Sequence, residues 1–377
     1  MRFLLNTRRD DAGTRVCIHD LRARLVERGL EATLNDWSNY AHYDVVVFMG
    51  YDHDMERARR INSGIKIVLA DPKLARSDYI SAARGADLLL VSSVEQRDSF
   101  LKLNQNVLIY YMFPDLSMKP KLHSNAGKLV IAYHGNRVHL EAMRHSVLPA
   151  IAALAKARPL EFHAVYNIAH LGRSDLSLLD KCGVAAKHVQ WDPLTLVDCL
   201  NAADIGVMPN ELPIRERQLA LAATAYSVGE FAYEPFDHLV RYKASANPGR
   251  LYPFVCAGVP IIADFSPSAS QFMQDGRGGF IVSSPHGWYY ALSRLAESPA
   301  LRQSCADRLF RELSEQYYRQ FDDFIAACGD TERRLTPLIN GVATAEEEQE
   351  SFYKYSRPNE TLPRWAMRQF NRFRSFR

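Results

Sequence analysis

Cysteine is scarce in this chain, and what there is lies scattered. Six cysteines (Cys17, Cys182, Cys199, Cys256, Cys305 and Cys328) are spread over 377 residues, with no Cys-x-x-Cys pair and no Cys/His cluster. That excludes a disulfide framework and a structural zinc site, and it fits a reducing compartment. Long apolar runs are missing as well: none approaches the roughly 20 residues that span a bilayer. The N-terminal MRFLLNTRRDD holds only Phe3-Leu4-Leu5, too short for a signal-peptide core. The body of the chain is therefore expected in the cytoplasm. A strong charge imbalance is lacking too, and a net charge of +3 gives no argument for a nucleic-acid partner.

What is present is a repeated pattern of strand-length apolar runs with helical stretches between them. In the first part the runs are Phe3–Asn6, Ala32–Asn35, Val45–Met49, Ile65–Ala70, Asp87–Val91 and Val107–Tyr111. Several are unbroken Val/Ile/Leu runs without polar alternation, which predicts strands buried on both faces of a parallel sheet. A crossover helix is expected from Val16 to Glu27, with Gly29 at its C-cap. The segment from Phe113 to Lys128, with Pro114, Pro120 and Gly127, reads as a linker. The alternation then restarts at Leu129–Tyr133 and continues through Leu160–Val165, His188–Gln190, Ile205–Met208, Val259–Ala263 and Gly279–Val282.

This predicts an α/β protein of two doubly wound, Rossmann-like domains, 1–117 and 118–330, followed by a tail, 331–377, that opens acidic and ends basic and aromatic. In such sheets ligands sit at the carboxyl ends of the strands, so two facing sheets create one interdomain cleft. The stretch Glu211–Tyr242 reads as a helical insertion beside that cleft or as a plain surface helix.

The most informative segment is Lys243–Ala263, KASANPGRLYPFVCAGVPIIA. Pro248-Gly249 marks a turn, a short helix follows from Arg250 to Ala257, and Gly258 ends it before a buried strand. Free backbone N–H groups and the positive dipole end at such a helix start suit phosphate oxygens. Lys243 and Arg250 add charge on either side of the turn, as a mobile point charge and a bidentate fork respectively. A solvated helix start with surface cations explains the same residues.

Arg250 through Ala263, with Gln271-Phe272-Met273-Gln274-Asp275-Gly276 and Gly279-Phe280-Ile281-Val282, resembles the C-terminal domain of GT-B glycosyltransferases, chiefly the retaining nucleotide-sugar enzymes. Ala86-Asp87 to Ser92-Ser93, Ile131 to Arg137 and Ala203 to Pro209 agree in order and spacing, so the resemblance covers about residues 1–330. It implies the GT-B fold, a nucleotide-diphosphate sugar as co-substrate rather than a tightly held cofactor, and an acceptor on the N-terminal side. These enzymes commonly carry a Glu-x7-Glu pair. The corresponding positions here are Ser245 and Pro253, which leaves a variant built on Lys243, Asn247 and Arg250, or a member without catalysis.

Other candidates lie at strand ends. Gly135, Asn136 and Arg137 follow a strand and could meet the diphosphate, as the family's basic residue does, or form an ordinary turn. Ser266 and Ser268 could cap a helix or touch phosphate or sugar. Asn210 and Glu211 could bond sugar or ribose hydroxyls. On the acceptor side, Asp71 is the best carboxylate for a catalytic role, though a turn aspartate before Pro72 explains it as well, and Gly13 and His53 are also expected at the cleft. No obligatory metal is expected. In the tail, Leu362, Trp365, Ala366, Phe370, Phe373 and Phe376 fall within roughly a 140° arc of a helical wheel, flanked by arginines. Leu362–Arg377 is therefore a candidate membrane-surface contact, or else it docks on the body or stays disordered.

The reading is a glycosyltransferase that moves a sugar from a nucleotide-diphosphate donor to a hydroxyl of a glycan or lipid-linked acceptor. It would be retaining, metal-independent, and cytoplasmic or peripheral at the inner membrane surface. The alternatives are a non-catalytic nucleotide- or glycan-binding protein and an epimerase-like enzyme on the same fold.

Overall fold

The computed structural model describes residues 1–74, 76–112, 117–136, 139–140, 143–168, 176–210, 248–264 and 267–330. Arg137, Glu211, Lys243, Ser245, Asn247, Ser266, the side chain of Ser268, the stretch Glu211–Tyr242 and the whole tail with Leu362–Arg377 lie outside the described residues.

Two sheets form. The first holds β1 (Arg2–Asn6), β2 (Glu31–Leu34), β3 (Val45–Met49), β4 (Lys66–Ala70), β5 (Leu88–Val91) and β6 (Val107–Ile109), in the order β2-β1-β3-β4-β5-β6. The second holds β7 (Leu129–His134), β8 (Leu160–Tyr166), β9 (Ala185–Gln190), β10 (Ile205–Met208), β11 (Ile261–Asp264), β12 (Gln274–Asp275) and β13 (Gly278–Val282), in the order β12-β13-β11-β10-β7-β8-β9. Among the described residues the strand pairings are parallel. The Val-Val-Val-Phe-Met run of β3 is buried at every position, as a strand covered by helices on both faces must be.

Sequence order reverses beside β1 in the first sheet and between β7 and β10 in the second. Such switch points open a crevice at the carboxyl ends of the strands. Here those ends are Asn6 and Met49 in one domain, and His134 and Met208 in the other.

Local differences from the sequence reading have local causes. The first helix begins at Ala12 rather than Val16, because the Asp11 Oδ1 accepts the Thr14 N–H at 2.9 Å and caps the start. It passes through a π-helical turn, Arg15–His19, before the α-helix Asp20–Glu27. Strand β11 starts at Ile261 rather than Val259 because Pro260 has no N–H to give the ladder. Strand β9 begins at Ala185, earlier than His188: it is an edge strand whose polar and charged residues hide the apolar signal.

The domains are tied by the last helix, Pro299–Gly329. At 1.5 Å per residue it is about 46 Å long. Leu309 and Leu313 pack in the second domain, whereas Phe321, Phe324 and Cys328 enter the first domain's core. The helix end from Phe321 therefore packs with the domain opposite to the one to which the expected span 118–330 gave it. Gln320 exchanges two hydrogen bonds with the backbone of Tyr111, at 2.7 and 2.8 Å. Arg24 lies over the Tyr317 ring at 3.6 Å and donates to Tyr110 Oη at 2.7 Å.

Candidate active site

A cavity of about 640 Å³ lies between the two sheets. The first domain contributes Gly13, Cys17, Asp20 and Asp71, and the second contributes His134, Trp191, Gly249, Arg250 and Tyr252.

On the second domain's side the wall is built around the turn Pro248–Arg250 and the loop after β7. Arg250 Nη2 donates to Asn210 Oδ1, and the Asn210 N–H donates to Asp264 Oδ2 at 2.7 Å. Asp264 is 4% exposed, so this is a buried carboxylate–amide–guanidinium chain. Burial pulls the Arg250 pKa below the usual guanidinium value, while Tyr133 and Asp264 pull it back. The guanidinium is therefore a fixed part of the wall, not the solvated surface cation that the sequence also allowed. His134 Nε2 donates to the Arg250 carbonyl at 2.7 Å. Burial lowers the His134 pKa to about 4, so the ring is neutral at pH 7.

Gly135 sits against this wall with φ of +139°, and a Cβ there would lie 2.7 Å from Arg250 Cδ and 2.8 Å from Tyr133 Oη. Only glycine fits such a position. Tyr133 Oη donates to the Asn136 carbonyl at 2.7 Å, which folds the exposed Asn136 over the strand end. Gly135, Asn136, Asn210 and Arg250 lie side by side, and of the four Arg250 lines the cavity. Asn210 takes a different part, since its side-chain oxygen orients Arg250.

On the first domain's side, Asp71 has φ of +49°. Its loop is held by Gly50, where a Cβ would meet Pro72 Cα at 2.4 Å. The carboxylate receives the Lys73 ammonium at 2.7 Å and is 16% exposed. Burial raises its pKa, and Lys73 and a Gln96 hydrogen bond oppose the rise. The carboxylate faces the cavity, where it is placed to accept a proton from a bound hydroxyl. Cys17 beside it is held as a thiol by burial, which removes it as a nucleophile.

His53 departs from expectation. It does not line the cavity, and burial lowers its pKa in a pocket beside Asp78, Asp52 and Asp54. The triplet Asp52-His53-Asp54 is an Asp-x-Asp spacing that the expectation of metal independence did not take into account. Asp52 is engaged by the Arg8 backbone and guanidinium, both at 2.6 Å. Among the described residues no three His, Cys, Asp or Glu side chains cluster as metal ligands. No helix there is long and apolar enough to cross a membrane.

Sequence reasoning missed His134, Trp191 and Tyr252. His134 and Trp191 stand at or just past the carboxyl ends of β7 and β9, so the strand-end rule applied to every strand would have marked both. Tyr252 carries no such signal, since its exposure to the cavity depends on how its short helix is rotated.

No protein-family model matches the chain, and a comparison with curated proteins finds no match. Solved structures do match. TarM of S. aureus, in complex with fondaparinux, alpha-GlcNAc-glycerol and UDP, superposes with a TM-score of 0.51 at 10% identity, over 76% of this chain and 55% of TarM. The chain thus spans about half of that protein. Anabaena Alr3699/HepE in complex with UDP-glucose gives a TM-score of 0.55 at 12% identity, over 87% of this chain and 100% of HepE. Sucrose-phosphate synthase from Thermosynechococcus elongatus gives 0.54 at 12% identity, over 86% and 99%. These likenesses and the two facing parallel sheets define the fold as GT-B.

Proposed function

We propose that this protein is a glycosyltransferase that takes a sugar from a nucleotide-diphosphate donor and passes it to a hydroxyl of a glycan or lipid-linked acceptor. The observation that carries the reading is the cleft itself. Asp71 faces it from one switch-point domain, and His134 with Arg250 faces it from the other. UDP or UDP-glucose in the matched structures supports a uridine nucleotide as the first donor to try.

In this reading Arg250 and Lys243 stabilise charge on the departing diphosphate, the largest contribution available without a nucleophile; the Gly135 N–H, expected to join them, instead donates to the Val165 carbonyl at 3.1 Å. Asn136, Arg137, Glu211, Ser245, Asn247, Ser266 and Ser268 contact the donor, while Asn210 positions Arg250. Asp71 takes the acceptor proton, with Lys73 holding its carboxylate. Closing the cleft excludes water that would hydrolyse the donor. Retention of configuration and independence of metal belong to the same proposal, as do domain limits near residues 117 and 330, a cytoplasmic location and membrane-surface contact through Leu362–Arg377.

The test is thermal unfolding with UDP and UDP-sugars, followed by release of UDP from the donor. Ligand binding to the native state raises the melting temperature, and a transferase releases UDP slowly even without acceptor. Binding without release is the outcome of the second reading, a non-catalytic binding protein. Ser245 and Pro253 at the positions of the family's glutamate pair favour that second reading. No shift with any nucleotide rejects both.

A further inference from the structure

A second cavity, of about 570 Å³, opens beside the cleft on the first domain, lined by the cations Arg8, Arg9 and Arg15 and the carboxylates Asp10 and Asp20, with Thr7, His19 and Asn35. Arg15 and Asp20 line both cavities, so the two are adjacent. The groove lies at the carboxyl ends of β1 and β2, next to the first sheet's switch point. The π-helical turn Arg15–His19 forms its side. Such turns are rare and cluster at functional sites.

The groove's cations are prepared to different degrees. Arg8 is stacked 3.7 Å over Trp37 and pinned by Asp52 at 2.6 Å, so it serves the wall. Arg9 lies 4.8 Å over the Tyr51 ring and has no carboxylate partner among the described residues. A guanidinium held over an aromatic ring without a carboxylate partner keeps N–H donors for an anion. Arg15 grips Asp10 through two bonds, at 3.0 and 3.3 Å, on side chains 45% and 71% exposed, so the pair is open to water and to exchange with an incoming anion. The floor is stiff: Asn35, at φ of +58°, accepts the Thr7 N–H at 2.8 Å.

We infer that this groove is the acceptor subsite, and that the acceptor carries an anionic group, a phosphate or a carboxylate, bound by Arg9 and Arg15 while its reacting hydroxyl extends into the cleft toward Asp71. The inference rests on the transferase reading above for the word acceptor, and on the groove alone for the anion.

The experiment is calorimetric titration of the full chain with glucose 6-phosphate, glucuronate and glucose, with and without UDP. The double variant Arg9→Gln/Arg15→Gln is titrated beside it, and Arg9→Lys/Arg15→Lys serves as the charge-preserving control. At least one anionic probe is expected to bind tenfold or more tighter than glucose in the presence of UDP, and which one binds tells phosphate from carboxylate. The Gln variant is expected to lose tenfold or more of that affinity, with UDP affinity unchanged within twofold; the Lys variant keeps part of it. Equal binding of glucose and the anions, no anion binding, or unchanged anion binding by the Gln variant overturns the subsite. Anion binding that depends on these arginines in a chain that binds no UDP overturns the transferase reading and leaves the anion site standing.

Discussion

Gly135→Ala tests the site at its narrowest point. The residue has φ of +139°, a region that L side chains enter at a cost of about 1–3 kcal/mol. The added methyl meets Arg250 Cδ at 2.7 Å and Tyr133 Oη at 2.8 Å. Moving Arg250 disturbs its bond to Asn210, and moving Tyr133 disturbs its bond to the Asn136 carbonyl. Overpacking of this kind costs about 1–3 kcal/mol more. The sum is about 2–6 kcal/mol. For a domain of this size each kcal/mol lowers the melting temperature by about 2–4 °C, so a drop of about 4–24 °C is expected. UDP affinity should fall at least tenfold, because the displaced groups are those assigned to the diphosphate. The control is Gly13→Ala, also on the cleft, where the methyl would meet only Asp11 Oδ1 at 3.3 Å and Tyr51 Oη at 3.9 Å. A Gly135→Ala protein that melts within 2 °C of the parent and binds UDP within twofold refutes the reasoning.

Arg250→Ala should abolish the melting shift given by UDP while the chain stays folded, and an unchanged shift would remove Arg250 from the donor site. Asp71→Asn should lower kcat by about 10²–10⁴, the usual contribution of a general base, with little change in donor KM; a kcat within threefold of the parent would reject that role. His134 is held neutral, with its pKa lowered from 6.5 to about 4. Its contribution is therefore present above pH 6.5 and lost as pH falls toward 4, about 2 kcal/mol of it between pH 7 and pH 5. Urea midpoints of the parent should fall over that range more than those of His134→Asn, and parallel pH slopes would refute the assignment. Gly206→Ala places a methyl 2.7–2.9 Å from the Phe254 ring and should cost about 1–3 kcal/mol, read as a lower melting temperature with Gly13→Ala again as control.

Sequence and tertiary structure divide this protein between them along physical lines. The unbroken apolar runs of β3, β4 and β10 declare burial on both faces, and that alone requires helices on either side and a parallel sheet. The restart at Leu129 declares a second domain by the same argument. Gly29 and Gly258 mark helix ends through their left-handed φ of 74° and 67°, a local property readable from the residue. What the sequence could not decide is everything that depends on residues far apart meeting. Arg250 looks like a surface cation until Asn210 and Asp264, brought beside it by β10 and β11, fix it in the wall. Packing alone assigns the two ends of the helix Pro299–Gly329 to different domains. Asp71 looks like a turn aspartate until burial and Lys73 decide its chemistry. Periodicity and backbone preference are encoded within a few residues; the electrostatics of a cleft are set by which distant side chains share a small volume.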